Sequence, residues 1–183
     1  MKIYSVRHGH AQHNAGFDKI KNRSVYRSFQ YKDSHLTEKG VEQIKTIHLP
    51  KMDRVYSSPL IRCIETSRIL VGDEQLLYLH DGLTETQGPY PCNWRSNLDT
   101  FIQSLNKYNL ENVKEKYSPY TDYYLPNKSE TWEELNIRAT NTLESIKKEC
   151  AHMEHILIVT HNDWLESLFG RPFMNGEIFI LEN

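Results

Sequence analysis

Tyr4-Ser5-Val6-Arg7-His8-Gly9-His10 passes from an apolar, β-prone run straight into an arginine, a histidine and a glycine. Such a run reads as a buried strand that delivers reactive groups to the loop at its C-terminal edge. Open α/β sheets place their sites at that edge. Arg7 supplies a planar fork for an oxyanion. His8 is able to act as nucleophile or base near neutral pH. Gly9 is expected to let the backbone approach a ligand closely.

Outward from this stretch, the chain is ordinary. Its 183 residues suffice for one domain with a real core, and 38% apolar with 25% charged residues is usual for a globular protein. A net charge of -2 gives no basic field for nucleic acid. No run of about 18 apolar residues predicts a membrane span. The first residues read as strand and not as a signal peptide. Cys63, Cys92 and Cys150 are odd in number and widely spaced, without a CxxC pair. They are expected to be free thiols in a reducing, cytoplasmic compartment.

Strands are predicted at 2–6, 53–56, 76–79, 156–160 and 178–181. Residues 13–33 are expected to form a helical turn or two and a long loop rich in Arg23, Arg27, Tyr26 and Phe29. That loop is either a solvated face or a wall that meets an anionic substrate. Thr37 is predicted to cap a helix carrying Val41, Ile44 and Ile47. Ser57-Ser58-Pro59 reads as another helix start, with serine as the cap and proline in the first turn. Thr131-Trp132-Glu133-Glu134 fits a capping box, with Trp132 counted in the core stripe alongside Leu135, Ala139, Leu143 and Ile146. A helix over 162–169 should close at Gly170. Residues 86–128, punctuated by prolines and dense in tyrosine, are the least readable. They are taken as an excursion covering the site, with a possible helix over 97–108, inside one domain spanning 1–183. The alternation predicts an α/β fold: three layers, with a largely parallel central sheet and helices on both faces.

A parallel sheet would bring the strand ends together. Arg7 and His8 follow the first strand, Arg62 the second, Glu85 the third and His161 the late one. Two histidines, two arginines and a carboxyl suit phosphoryl transfer through a phosphohistidine. A neutral imidazole attacks phosphorus, cations hold the equatorial oxygens, and the acid protonates the leaving alcohol. His8, His10 and His13 could also suggest a metal cluster, but no carboxylate lies at ligand spacing and Arg7 would oppose a cation. No metal and no cofactor are therefore predicted.

These residues resemble the histidine phosphatase superfamily (phosphoglycerate mutase-like). The matching motifs are Arg7-His8-Gly9 with Asn14, Leu36-Thr37-x-x-Gly40-x-x-Gln43, Ser57-Ser58-Pro59-x-x-Arg62-x-x-x-Thr66, Glu85, and Val159-Thr160-His161. They keep the family's order over nearly the whole chain. The segment Pro91-Cys92-Asn93-x-Arg95-Ser96 after Glu85 looks most like a eukaryotic-type phosphatase branch. The resemblance implies that His8 is the phosphorylated nucleophile and Glu85 the proton donor. Arg7, Arg62 and His161 would form the phosphate pocket with help from Asn14, and Arg95 either holds substrate or is structural. Glu130 and Asp81 are rival acids. Asn162-Asp163 departs from the family's glycine or serine at the first of these positions. Asn162 tolerates unusual backbone angles and has an amide to offer, while Asp163 brings negative charge to an anion site.

The expected activity is metal-independent hydrolysis of a phosphomonoester, on a small phosphorylated metabolite or a phosphoprotein. A cofactor-dependent phosphoglycerate mutase and a non-catalytic phospholigand-binding member remain the alternatives. Neither nucleic acid nor membrane is expected as a partner, and the oligomeric state is not legible.

Overall fold

The computed structural model describes residues 1–95, 107–113 and 129–182. Six strands form one sheet: β1 (Lys2–Arg7), β2 (Arg54–Ser57), β3 (Leu77–His80), β4 (Tyr108–Asn112), β5 (His155–Thr160) and β6 (Ile178–Glu182). Their spatial order is β4-β3-β2-β5-β1-β6. All neighbours are parallel except β6, which runs antiparallel to β1. Five α-helices accompany them among the described residues: α1 (Gln12–Ile20), α2 (Glu38–Lys45), α3 (Ile61–Val71), α4 (Trp132–Glu149) and α5 (Asn162–Phe169).

Strand alternation explains the layers. In β5, Ile156 and Ile158 face one side and Leu157 and Val159 the other, as a two-residue period requires. The first pair packs with Leu135, Ala139 and Leu143 of α4 and Trp164 of α5. The second packs with Cys63 and Ile64 of α3. A sheet covered on both faces buries its central strands, so they read as unbroken apolar runs. The α/β fold is as the sequence predicted.

Several local signals fold as read. The Thr37 hydroxyl accepts from the Gly40 N–H at 3.1 Å and caps α2. Thr131 and Glu134 form a reciprocal capping box at 3.1 and 2.8 Å. Gly170 ends α5 with φ of 70°, a left-handed conformation that suits glycine.

Three expectations need correction. Helix α3 begins at Ile61, not at Ser57-Ser58-Pro59, and its N-cap Leu60 has no side-chain cap. Instead Asp33 Oδ1 accepts the Ile61 N–H at 2.9 Å, while Ser58 Oγ accepts the Leu60 N–H at 3.4 Å and also meets His161. Trp132 is 52% exposed, because it opens α4 one turn before the stripe meets the sheet. Tyr108, placed at the end of a helix by the sequence, instead starts edge strand β4, which pairs with β3. The rest of that helix, 97–106, lies outside the described residues. No helix among the described residues is long and apolar enough to cross a membrane.

Candidate active site

The sheet order decides which loops meet. Arg7 stands opposite Thr160 across β1 and β5, so Arg7-His8 runs beside Thr160-His161. The His8 N–H donates to the Thr160 carbonyl at 3.0 Å. Strands β2 and β3 end on the same edge and bring Arg62 and Glu85 to it.

The loop after β1 is clamped by residues that the sequence motifs had singled out. The Gly9 N–H donates to Thr66 Oγ1 at 3.1 Å, and the His10 N–H to Gln43 Oε1 at 3.3 Å. A Cβ on Gly9 would sit 2.8 Å from Ile44 Cγ1, and one on Gly40 would sit 2.1 Å from the His10 carbonyl oxygen. Gly9 therefore serves close packing of the loop on α2, which corrects the expectation that it makes room for a ligand.

The hydrogen bonds fix the His8 tautomer. Nδ1 lies 2.7 Å from the Gly9 carbonyl oxygen, and a carbonyl only accepts. Nδ1 thus carries the proton, and the lone pair sits on Nε2. The Arg62 Nε–H points at that lone pair at 3.2 Å. Burial, followed by the positive charges of Arg62 and Arg7, pushes His8 well below the usual histidine range, so the ring is neutral.

Arg62 is itself fully buried. Its remaining donors reach the Cys92 carbonyl at 2.6 Å, Asn93 Oδ1 at 3.2 Å and His161 Nδ1 at 3.2 Å. A guanidinium never accepts, so His161 Nδ1 is the acceptor there, and Nε2–H donates to Ser58 Oγ at 2.8 Å. His161 is fully buried and stays off the pocket wall, its ring 5.2 Å from that of His8. It holds Arg62 from behind.

A pocket of about 700 Å³ opens over this floor. Arg7, His8, Asn14, Arg62, Glu85, Asn162 and Asp163 all line it, whereas His161 and Arg95 do not. One Nη of Arg7 donates to the Phe173 carbonyl, and its Nε is buried without a hydrogen-bond partner. Asn14 Oδ1 accepts the Ala11 N–H at 3.0 Å at the start of α1, which leaves its NH2 for the pocket. Glu85 accepts from the Thr86 N–H at 3.1 Å and the Asp163 N–H at 3.2 Å. Burial raises the Glu85 pKa to about 8, and the Asp163 charge adds to that against the pull of the Thr86 bond, Arg62 and Arg7.

Other candidates are used elsewhere. Arg95 is 1% exposed and pairs with Asp81 at 3.0 Å, so neither reaches the pocket. Glu130 pairs with Arg138 at 2.7 Å. Asn162 has no unusual backbone angle and spends its amide internally. Its Oδ1 accepts the Phe173 N–H, and its Nδ2 donates to Asp163 at 3.0 Å and Glu166 at 2.9 Å. Asp163 Oδ2 accepts from the Thr86 hydroxyl at 2.8 Å.

Three contributors escaped the sequence reading. His13 lines the pocket, its ring 5.7 Å from that of His8 and its Nδ1 2.7 Å from Ser34 Oγ. Asn93 bridges Arg62 and the Thr86 carbonyl, and Ser58 orients His161. Asn93 and Ser58 stood within quoted motifs, but nothing local shows which arginine or histidine they meet. Among the described residues no group of three or more His, Cys, Asp or Glu side chains is placed to hold a metal ion.

Comparison with known proteins places the chain in a family. Phosphoglycerate mutase-like protein 1 of Arabidopsis thaliana is 36% identical over 89 residues, 44% of this chain and 31% of that protein. The chain thus matches about a third of that relative's length. A second Arabidopsis thaliana protein, phosphoglycerate mutase-like protein, is 24% identical over 92% of this chain and 73% of its own. The fold is similar to alpha-ribazole phosphatase from Shigella flexneri (TM-score 0.67, 21% identity, 100% of this chain and 90% of that one). It is also similar to phosphoglycerate mutase from Bacillus anthracis (TM-score 0.63, 21% identity, 98% and 86%). Residues 3–175, which hold every loop of the site, match the family model, and the chain belongs to the histidine phosphatase superfamily (branch 1).

Proposed function

We propose that the protein hydrolyses phosphomonoesters through a phosphohistidine on His8. One observation carries this reading: His8 is neutral, with its lone pair on Nε2 at the pocket floor, while the nearby Glu85 carboxyl is pushed up to about 8. A nucleophile without its proton and an acid that keeps one are the two states that the first step needs.

In that step Nε2 of His8 forms a bond to phosphorus as the P–O bond to the leaving group breaks. Glu85 gives its proton to the departing oxygen. The Arg62 Nε–H turns from Nε2 to a phosphoryl oxygen, and Arg7 with its spare Nε–H takes another. In the second step Glu85, now a carboxylate, takes a proton from water, and the water oxygen attacks phosphorus. The P–N bond breaks, phosphate leaves, and His8 is neutral again. The Nη ends of Arg62 are held in place by His161, Asn93 and the Cys92 carbonyl, so only its Nε–H changes partner when charge develops.

Asp163 is the feature that would favour a binding-only protein, since it brings a carboxylate to an anion site. Its ties to Thr86 and its effect on Glu85 give it a part in keeping the acid protonated. Hydrolysis of phenyl phosphate in excess EDTA, wild type beside His8→Ala, tests the reading. Turnover that survives chelation and vanishes in the variant is expected. No turnover in either protein, or equal turnover in both, overturns it.

A further inference from the structure

The nine arginines of the chain divide sharply by their partners. Arg54, Arg68, Arg95, Arg138 and Arg171 each have a carboxylate within 4.0 Å. Arg7, Arg23, Arg27 and Arg62 have none among the described residues, and all four line the pocket described above. Unpaired exposed arginines are common on a solvated face, where they would be scattered. Here both of the exposed ones, Arg23 and Arg27, border the same concavity as the two on its floor.

A single phosphate group is served by Arg7 and Arg62. That leaves Arg23 and Arg27, on the helical turn Arg23–Arg27, with no anion. Between them and the floor stands Tyr26, stacked on Phe17 at 5.7 Å and 16° and edge-on to His13 at 5.9 Å. The Arg27 guanidinium lies 5.6 Å from the centre of the Tyr90 ring, a cation–π contact that leaves its edge donors available. The pocket thus has a phosphate end, an aromatic middle and a second cationic end.

We propose that Arg23 and Arg27 form a second anion subsite, so that the preferred substrates are phosphomonoesters whose leaving group carries a further carboxylate or phosphate. The proposal deepens the hydrolase reading and rests on it for what occupies the floor. It adds that the rest of the substrate is recognised by charge at the mouth and by ring or aliphatic surface against Tyr26.

Binding of three non-hydrolysable ligands to the full chain tests it: benzylphosphonate and its 4-carboxy and 4-phosphonomethyl derivatives, followed by calorimetry. At least one doubly anionic ligand is expected to bind about fivefold tighter than benzylphosphonate at low salt, the scale of exposed charge pairs. The preference should shrink as salt is added. It should fall to about one in Arg23→Gln/Arg27→Gln and to an intermediate ratio in each single variant. Equal affinities in the wild type, a preference that survives in the double variant, or no binding of any of the three overturns the subsite. Turnover of phenyl phosphate by the same preparation reads the hydrolase separately. Turnover without the preference removes the subsite alone, and the preference without turnover removes the hydrolase reading alone.

Discussion

The main-chain N–H of Asp163 donates to Glu85 Oε1 at 3.2 Å, so the residue whose side chain repels the Glu85 charge also holds that carboxyl in place with its backbone. Substitution at Asp163 can remove the repulsion and keep the hydrogen bond. Asp163→Asn should therefore lower the Glu85 pKa while its geometry persists. Because the proposed first step needs a proton donor, the rate on phenyl phosphate should fall as pH rises through about 8. In Asp163→Asn that alkaline limb should move to lower pH, as measured in the pH profile of kcat/KM. A limb that stays in place assigns it to another group.

Replacing the acid itself separates leaving groups. Glu85→Gln should cost about 10²–10⁴ in kcat/KM on phenyl phosphate and far less on 2,4-dinitrophenyl phosphate, whose leaving oxygen needs no proton. Loss of the base for the second step should also let an acid-labile phosphoenzyme accumulate. An equal loss on both esters would remove Glu85 from the acid role.

The same carboxyl makes stability depend on pH. Glu85 has a folded pKa near 8 and an ordinary value of 4.5. Between those values the folded state holds a proton that the unfolded state has released, so stability falls as pH rises through this window. Glu85→Gln abolishes the dependence. Its Tm relative to wild type should rise from pH 5 to pH 8, read by thermal unfolding across buffers matched in ionic strength.

Arg62 is the structural centre of the pocket floor. In the proposed mechanism Arg62→Ala removes a transition-state donor, and in the structure it leaves several buried acceptors unpaired, so a loss of about 10²–10³ in kcat/KM is the least expected. Arg62→Lys should recover little, because an ammonium cannot reach His8, Asn93 and His161 at once. Steady-state kinetics alongside a phosphohistidine trap distinguishes lost chemistry from lost folding.

In most helices Gly→Ala adds about 1 kcal/mol of stability. Gly40→Ala should do the reverse, since its Cβ would lie 2.1 Å from the backbone oxygen of His10. A destabilisation of about 2 kcal/mol or more in urea is expected, together with lost activity as the loop carrying His8 shifts. A neutral or stabilising result would mean that α2 slides freely on this loop.

Local order was readable because it is made locally. Thr37 caps α2 and Thr131 pairs with Glu134 over three residues, and Ile156–Val159 alternates between two faces within one strand. Residue type and order named His8, Arg62 and Glu85, the family resemblance added Asn14, and the sheet brings all four to one pocket. Trp132 shows where periodicity stops: a stripe predicts a face, but the ends of that face overhang the sheet.

The sequence by itself determined the parallel α/β plan and the reactive groups at its strand ends, since periods of two and 3.6 and capping act over a few residues. Only the tertiary structure decided their states. The proton on His8, the acidity of Glu85 and the burial of Arg95 against Asp81 depend on partners from elsewhere in the chain. Arg62 lies 54 residues from His8, and Asp163 lies 78 from Glu85. Desolvation and charge act through space, so the chemistry exists only once the strands are in order.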